Sequence, residues 1–403
     1  MRLNYLAFGI LAILVIMYLE YLYAKRKKVN HVFKYESTVA NLSVGILDRL
    51  FDLFCSALFY SIYYAVYNRW HLFDIGNTWY IWIILLLATD LVWYWYHRLG
   101  HEINILWAAH IVHHHSEEFN YTAAVRITVF QAFIRTAFWS ILPLIGFQPQ
   151  MVIPILLFHG IYSFFTHTRL IGKLGLLEYV LITPSLHRVH HASDEKYLDK
   201  NYGDIFVFWD KLFGTFMKEE EEPRYGIVHP LQSNSFLWQH FHYYLEIWVA
   251  FVKAPTLKAK FLAIFGGPKY MNPNIRKVLE RKFNIKKNPI TLKSSLKRYV
   301  NLQIAACLML LILQMFFFYY LSAILFALLF LLILLTLINC GALLDQKGYV
   351  YYLEIMRIGV FLLFLPYLFG VSWETVFVCF IGLSLASTPI CKVYYQRFLF
   401  ASE

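Results

Sequence analysis

Histidine is the residue type that could carry chemistry here. The chain has 16, and most fall into short groups: His97 and His101 in HRLGH, His110, His113 and His114 in HIVHH, then His159 and His167, then His187, His190 and His191 in HRVHH. On a helix, positions i, i+3 and i+4 share one face. The pair can therefore point together, and so can each triplet. With His167 they offer nine imidazoles, enough nitrogen for two metal ions with positions left open for oxygen. Imidazole suits iron, zinc and copper. A lone histidine is ordinarily a satisfied or exposed side chain. With 16 histidines in 403 residues, however, an H-x-x-H-H string is expected by chance on the order of 0.03 times per chain, and it occurs twice.

Two carboxylates accompany the histidines. Asp90 lies seven residues before His97 and eleven before His101, on the same helix face. A carboxylate within an apolar segment is costly and usually has a partner, and metal-bound histidines commonly donate their second N–H to a carboxylate. Asp90 is expected to play that part; the alternative is pairing with Arg49, Arg126 or Arg135. Glu102 follows His101 directly. It reads either as a solvated carboxylate at a helix end or as a site carboxylate that binds a cofactor or tunes a ligand. His115 turns to another face. His31, His71, His229, His240 and His242 fit no ligand spacing and are read as non-ligands.

The elements that must position these residues are membrane helices. Hydrophobic residues make up 59% of the chain and charged residues only 15%, against about half and a quarter in soluble domains. The apolar residues come in runs of about 20, the length that crosses the hydrocarbon core as a helix. Spans are expected at 5–23, 39–67, 79–96, 122–146, 151–168, 300–320, 322–343, 352–369 and 373–391, about nine crossings. The stretches 39–67 and 122–146 are the least regular. Arg126 and Arg135 interrupt the latter, and an arginine at the bilayer centre costs about 2.5–3.5 kcal/mol, so that segment is expected to be partly interfacial or to face a polar cavity. The first stretch reads as a permanent span rather than a cleaved signal.

Charge patterning then orients the chain. The net charge is +11, concentrated in a few loops. This favours the positive-inside rule and attraction to anionic headgroups over nucleic acid. Lys25, Arg26, Lys27 and Lys28 after the first span place that end in the cytoplasm, with the N-terminus outside and the C-terminus inside. All the histidine groups then fall at cytoplasmic ends of spans. The compartment would be a bacterial inner membrane or the endoplasmic reticulum, according to source. The polar stretch 170–297 carries the acidic run 219–222 and the basic pairs Arg276/Lys277 and Lys286/Lys287, read as solvated faces. The five cysteines form no C-x-x-C pair and read as small buried residues. The resulting division is N-terminal helices at 1–78, a catalytic domain with a histidine cap at 79–297 and C-terminal helices at 298–403. The fold class is all-α: a polytopic helical membrane protein with a histidine-rich di-metal site at its cytoplasmic face.

The set H-x3-H, H-x2-H-H and H-x2-H-H resembles the fatty acid hydroxylase and sterol desaturase superfamily of membrane di-iron enzymes. The segments HRLGHEINILWAAHIVHHHSEEFN and THTRLIGKLGLLEYVLITPSLHRVHHASDEKYLDKNYGDIFVFWDKLFGTF, with the later YGIVHPL, are similar to the alkylglycerol monooxygenase family, and the likeness covers most of the chain. The resemblance implies that His97, His101, His110, His113, His114, His187, His190 and His191 bind two iron ions, that His167 joins them, and that Glu102 matches a glutamate required for activity. His159 has no firm counterpart and stays an open candidate. The family takes electrons from tetrahydrobiopterin and uses O2 to hydroxylate the alkyl carbon beside an ether oxygen, releasing a fatty aldehyde. A redox metal is consistent with that chemistry, because carboxylates and imidazoles alone supply no oxidant. The alternatives are a hydroxylase or desaturase of fatty acyl, sphingoid or sterol lipids and, in another class, a metal-ion transporter, whose site would sit near the bilayer midplane.

Overall fold

The computed structural model describes residue 4 and residues 7–285 and 291–400; Lys286 and Lys287 of the expected basic pairs lie outside them. Regular structure among the described residues is all helical, with no strand and two isolated bridges, Leu181 to Phe206 and Ala192 to Tyr225.

Long apolar runs become long helices. The first three are α1 (Ala7–Arg26), α2 (Tyr35–Trp70) and α3 (Trp79–Glu102). Short pieces follow: α4 (Asn104–His110), α5 (Tyr121–Ala124), α6 (Val129–Trp139) and α7 (Ile141–Ile145). Then come α8 (Pro149–Thr166), the short α9 (Pro184–His190) and α10 (Phe208–Leu212), and the polar region's α11 (Phe236–Lys253), α12 (Leu257–Phe265) and α13 (Asn274–Lys282). The chain closes with α14 (Ser294–Phe316), α15 (Ala323–Leu344), α16 (Val350–Leu362), α17 (Phe364–Phe369), α18 (Trp373–Ala386) and α19 (Pro389–Leu399).

Among the described residues six helical stretches are long and apolar enough to cross a membrane: α1, α3, α8, α14, α15 and the α16–α17 run; α18 and α19, bent by 59°, make a seventh if taken together. This is fewer than the nine crossings expected. The expected spans 39–67 and 122–146 account for the difference, and each has a physical reason. α2 carries Asp48, Arg49 and Asp52, tied together by Arg49 at 2.5 and 2.9 Å. The 122–146 stretch is broken between α5, α6 and α7. Arg126 lies before α6, buried, and its guanidinium bonds the Val112 carbonyl, Asn41 and Gln239, each at 2.8 Å.

Both irregular stretches still run between the two ends of the bundle. At one end Asn41 donates to Thr122 at 2.9 Å. At the other, the α2–α3 loop pairs with the α7–α8 turn: Leu72 N–H donates to Leu144 O at 2.9 Å and Phe73 N–H to Ile145 O at 3.1 Å. Gly146 makes this approach possible. Its φ is +130°, and a Cβ there would lie 2.0 Å from the Phe73 carbonyl.

The helices that end at the histidines are fixed near that end by polar contacts. Glu20 of α1 accepts from Tyr121 N–H at 2.8 Å and from the Thr168 hydroxyl at 2.5 Å, next to His167. Outward faces stay apolar: Trp373, Phe377 and Phe380 are 88%, 62% and 70% exposed, as suits helices whose solvent is lipid.

Candidate metal centre

Five elements deliver the histidines. The last two turns of α3 carry His97 and His101, α4 ends on His110, and α8 ends against His167. His113 and His114 sit in a 3₁₀ turn after α4, and α9 supplies His187 and His190 with His191 just beyond. These nine gather into two adjacent sets. His97, His101, His110, His114 and His190 form one, and His113, His167, His187 and His191 the other; within each set, one nitrogen per ring lies within 4.8 Å of all the others. The sets abut, with the His114 and His191 rings stacked at 4.3 Å.

The triplets do not act as units. His110 and His114 stay together, as do His187 and His191, in keeping with i, i+4 spacing. The middle members cross over: His113 joins the second set and His190 the first.

Whether these residues fit metal ions can be judged from their nitrogens. His110 and His114 face each other Nε2 to Nε2 at 3.1 Å; His167 Nε2 lies 3.1 Å from His113 Nε2 and 3.0 Å from His187 Nε2. Two nitrogens at right angles on one ion with bonds of about 2.1 Å would stand about 3 Å apart. The buried Nε2 atoms of His101, His190 and His191 have no hydrogen-bond partner, an expense that a bound cation would remove. Three tautomers are fixed by carbonyls, which only accept. Nδ1 donates to Tyr202 O from His97 at 2.9 Å, to Lys200 O from His190 at 3.0 Å and to Ser163 O from His167 at 2.7 Å. Each of these rings therefore offers Nε2 as its free lone pair.

Burial also sets the charge. Eight of the nine are 8% exposed or less, and His101 is half-buried. Loss of solvation, followed by repulsion from neighbouring rings, holds His113, His114, His187 and His191 well below the usual histidine range. Burial does the same to His110 and His190, and brings His167 down to about 4. Neutral imidazole is the form that ligates. The fit is good for two ions of the kind imidazole prefers, with no carboxylate in either set.

Aromatic side chains wall the sets. Phe119 stacks on His167 at 5.4 Å and touches His191 at 5.0 Å, while Trp107 packs against His101 at 4.7 Å. Arg188, inside the HRVHH string, points away from the histidines. Its Nε and Nη2 reach Glu219 at 2.7 and 2.6 Å, and Nη1 donates to Thr168 O and Ile171 O. Glu219 is thus buried rather than part of a solvated run. Glu220 and Glu221 of the run are exposed and meet Lys196. Neither Phe119 nor Glu219 was singled out from sequence. For Glu219 a signal existed: an arginine between two buried ligands needs an anion.

Three expected site residues stand outside both sets. Asp90 is fully buried, but its oxygens accept from Ile205 N–H at 3.0 Å, Phe206 N–H at 3.1 Å and Trp209 Nε1 at 3.0 Å. It touches no histidine of either set, so the direct hydrogen bond to a ligand expected of it is replaced by a grip on a loop, and none of the three alternative arginines meets it. His159 donates through Nδ1 to Asp204 at 2.6 Å and stacks on Trp93 at 5.6 Å. Glu102 is 45% exposed and pairs with Arg98 at 2.9 Å. His115, read as a non-ligand, packs on His242 at 5.0 Å outside both sets.

Comparison with known proteins places this arrangement. Residues 82–215, which run from α3 to α10 and include all nine gathered histidines, match the fatty acid hydroxylase family. The alkylglycerol monooxygenase of Homo sapiens is 35% identical over 343 residues, 83% of this chain and 76% of the relative. That of Danio rerio is 32% identical over 331 residues, 80% and 74% of the two chains. The ornithine lipid hydroxylase OlsE of Rhizobium tropici is 31% identical over 139 residues, a third of this chain and 41% of its own. No solved structure matches. Likeness of this extent to relatives aligned over three quarters of their length means that the chain belongs to the alkylglycerol monooxygenase branch of the fatty acid hydroxylase family.

Proposed function

We propose that this chain is a membrane di-iron monooxygenase that hydroxylates the alkyl carbon beside the ether oxygen of an alkylglycerol. The resulting hemiacetal would separate into a fatty aldehyde and a free glycerol hydroxyl. The observation that carries the reading is the paired sets of five and four imidazoles, eight of the nine buried, in a chain 35% identical to an alkylglycerol monooxygenase. When bound, two iron ions would supply the redox chemistry that O2 needs to attack an unreactive C–H bond.

The chain's own residues do the rest. His97, His101, His110, His114 and His190 would hold one ion, and His113, His167, His187 and His191 the other. Phe119, Trp107 and the Tyr202 ring, packed on the imidazoles, exclude water. The sets lie where α3 and α8 end, so a lipid whose tail lies along the helices would bring its ether carbon, the junction of head and tail, to the histidines. Glu102 and Arg98 sit at the same end of α3. We assign Glu102 to binding the electron donor, tetrahydrobiopterin, whose ring N–H groups suit a carboxylate. The cluster of Lys25, Arg26, Lys27 and Lys28 closes α1 and continues past it at this end of the bundle, which supports a site facing the cytoplasm.

A second reading, hydroxylation of an acyl chain, has one observation in its favour: the match to an ornithine lipid hydroxylase. The two are separated by assaying anaerobically purified, iron-loaded protein with an alkylglycerol and with an acyl lipid, each with and without tetrahydropterin. Aldehyde release that requires both ether lipid and pterin supports the first reading. Turnover of acyl lipid alone would replace it, and absence of iron would refute both.

A further inference from the structure

The two histidine sets are supported in different ways. In the second, His167 is oriented by the carbonyl of Ser163 in its own helix, and the Nδ1 atoms of His113 and His187 have no hydrogen-bond partner. In the first, two rings lean on one short loop: His190 on Lys200 O and His97 on Tyr202 O. The Tyr202 ring then packs on His97, His101 and His190 at 5.9, 5.3 and 5.8 Å, all members of the first set.

This loop, 200–210, is held by buried polar groups from three directions. Asp210 accepts from Tyr202 N–H at 2.7 Å, Gly203 N–H at 2.9 Å and the Thr215 hydroxyl at 2.7 Å. Gly203 permits this turn, since a Cβ there would stand 2.8 Å from both Asp210 Oδ2 and the Phe206 carbonyl. Asp90 of α3 takes the N–H groups of Ile205 and Phe206 and the Trp209 indole. His159 of α8 donates to Asp204. Asn201, in the left-handed region at φ +52°, bonds Leu186 O and Met217 O at 2.9 and 2.7 Å.

Asp90, His159 and Asp204 lie close enough to hold an ion of their own. Three N–H donors already occupy the Asp90 oxygens, however, and His159 Nδ1 is committed to Asp204. Their arrangement is that of an anchor.

We propose that the 200–210 loop, anchored by Asp210, Asp90 and the His159–Asp204 pair, is a positioning device for the five-histidine set alone, fixing the Nε2-presenting tautomers of His97 and His190. The inference rests on both sets binding metal. Changes to partners of this kind typically weaken metal affinity by roughly 10–100-fold, and here the loss is confined to one of the two ions.

The test is metal content per chain of the full-length protein purified anaerobically in detergent. The wild type should hold two iron ions and Asp210→Asn about one. In a His167→Ala background, where the four-histidine set is disabled, Asp210→Asn should remove the remaining ion; in a His97→Ala background it should leave the remaining ion in place. Should Asp210→Asn elute as an aggregate, Thr215→Val replaces it, deleting one hydrogen bond to Asp210 without burying a charge; the same selectivity is expected. Equal loss in both backgrounds, or loss in neither, overturns the inference while leaving a two-ion wild type intact. A wild type that binds no ion overturns the reading beneath it, and the inference with it.

Discussion

Glu219→Gln changes one oxygen to an amide and leaves Arg188 charged and buried. The side chains of the pair are 7% and 9% exposed, so little water is available to replace the lost partner. Arg188 would keep the Thr168 and Ile171 carbonyls but lose a two-point contact with a carboxylate. Removing one partner of a buried ion pair typically costs about 3–5 kcal/mol. At 1.4 kcal/mol per factor of ten, this corresponds to a rise in local opening of about 100- to 4,000-fold. The opening should centre on α9, because Arg188 is the bolt between that helix and the chain just past His167. Amide hydrogen exchange of the peptide covering 184–192, compared between wild type and variant without metal, measures it directly. The double replacement Arg188→Met with Glu219→Met should exchange more slowly than Glu219→Gln alone, since it removes the charge with its partner. Unchanged exchange in Glu219→Gln would show that the pair does not hold α9, and a double replacement worse than the single would show that charge is not the reason.

Other expectations follow from the same geometry. His113→Ala and His190→Ala should each abolish turnover and lower iron content, measured by elemental analysis; retained full occupancy would remove them from the ligand sets. Glu102→Gln should abolish turnover with iron content near normal, and an equal loss of metal would make the residue a support of the centre instead. Acid should destabilise the metal-free protein. Burial brings His167 and His240 down to about 4, below the unfolded value near 6.5, so the unfolded chain binds more protons between these limits and stability falls as pH drops from about 6.5 towards 4. The thermal midpoint of chelator-treated protein should be lower at pH 5 than at pH 7.5; a flat profile would contradict it.

Spacing in the sequence brought eight of the nine histidines into view, because i, i+4 periodicity is local; His167 entered from its place at the end of an apolar run and from the family resemblance. Their partition between two sets was not legible. It depends on how α4, the turn after it and α9 meet in space, which sends His113 to the set of His187 and His191 and His190 to the set of His110 and His114. The long apolar helices were equally readable from run length. α2 and the 122–146 stretch were less so: Asp48, Arg49 and Asp52 neutralise one another within α2, while tolerance of Arg126 depends on partners from elsewhere in the chain. Asp90 shows the same limit. Periodicity gave its face, but its partners lie 115 to 119 residues away, in a loop without any repeat.

The pairing of Leu72 and Phe73 with Leu144 and Ile145 has a consequence at the opposite end of the molecule. α3 has 24 residues, a rod of about 36 Å, and its histidines ride on the tip. A tilt of about 5° at the base would swing that tip by about 3 Å, more than a metal–nitrogen bond. Because the same knot of main chain also seats the base of α8, it acts as the common fulcrum of the two rods that bring His97, His101 and His167 to one place. A side chain forced in at Gly146 would therefore be felt as misalignment at the far tips, with no atom near the histidines altered.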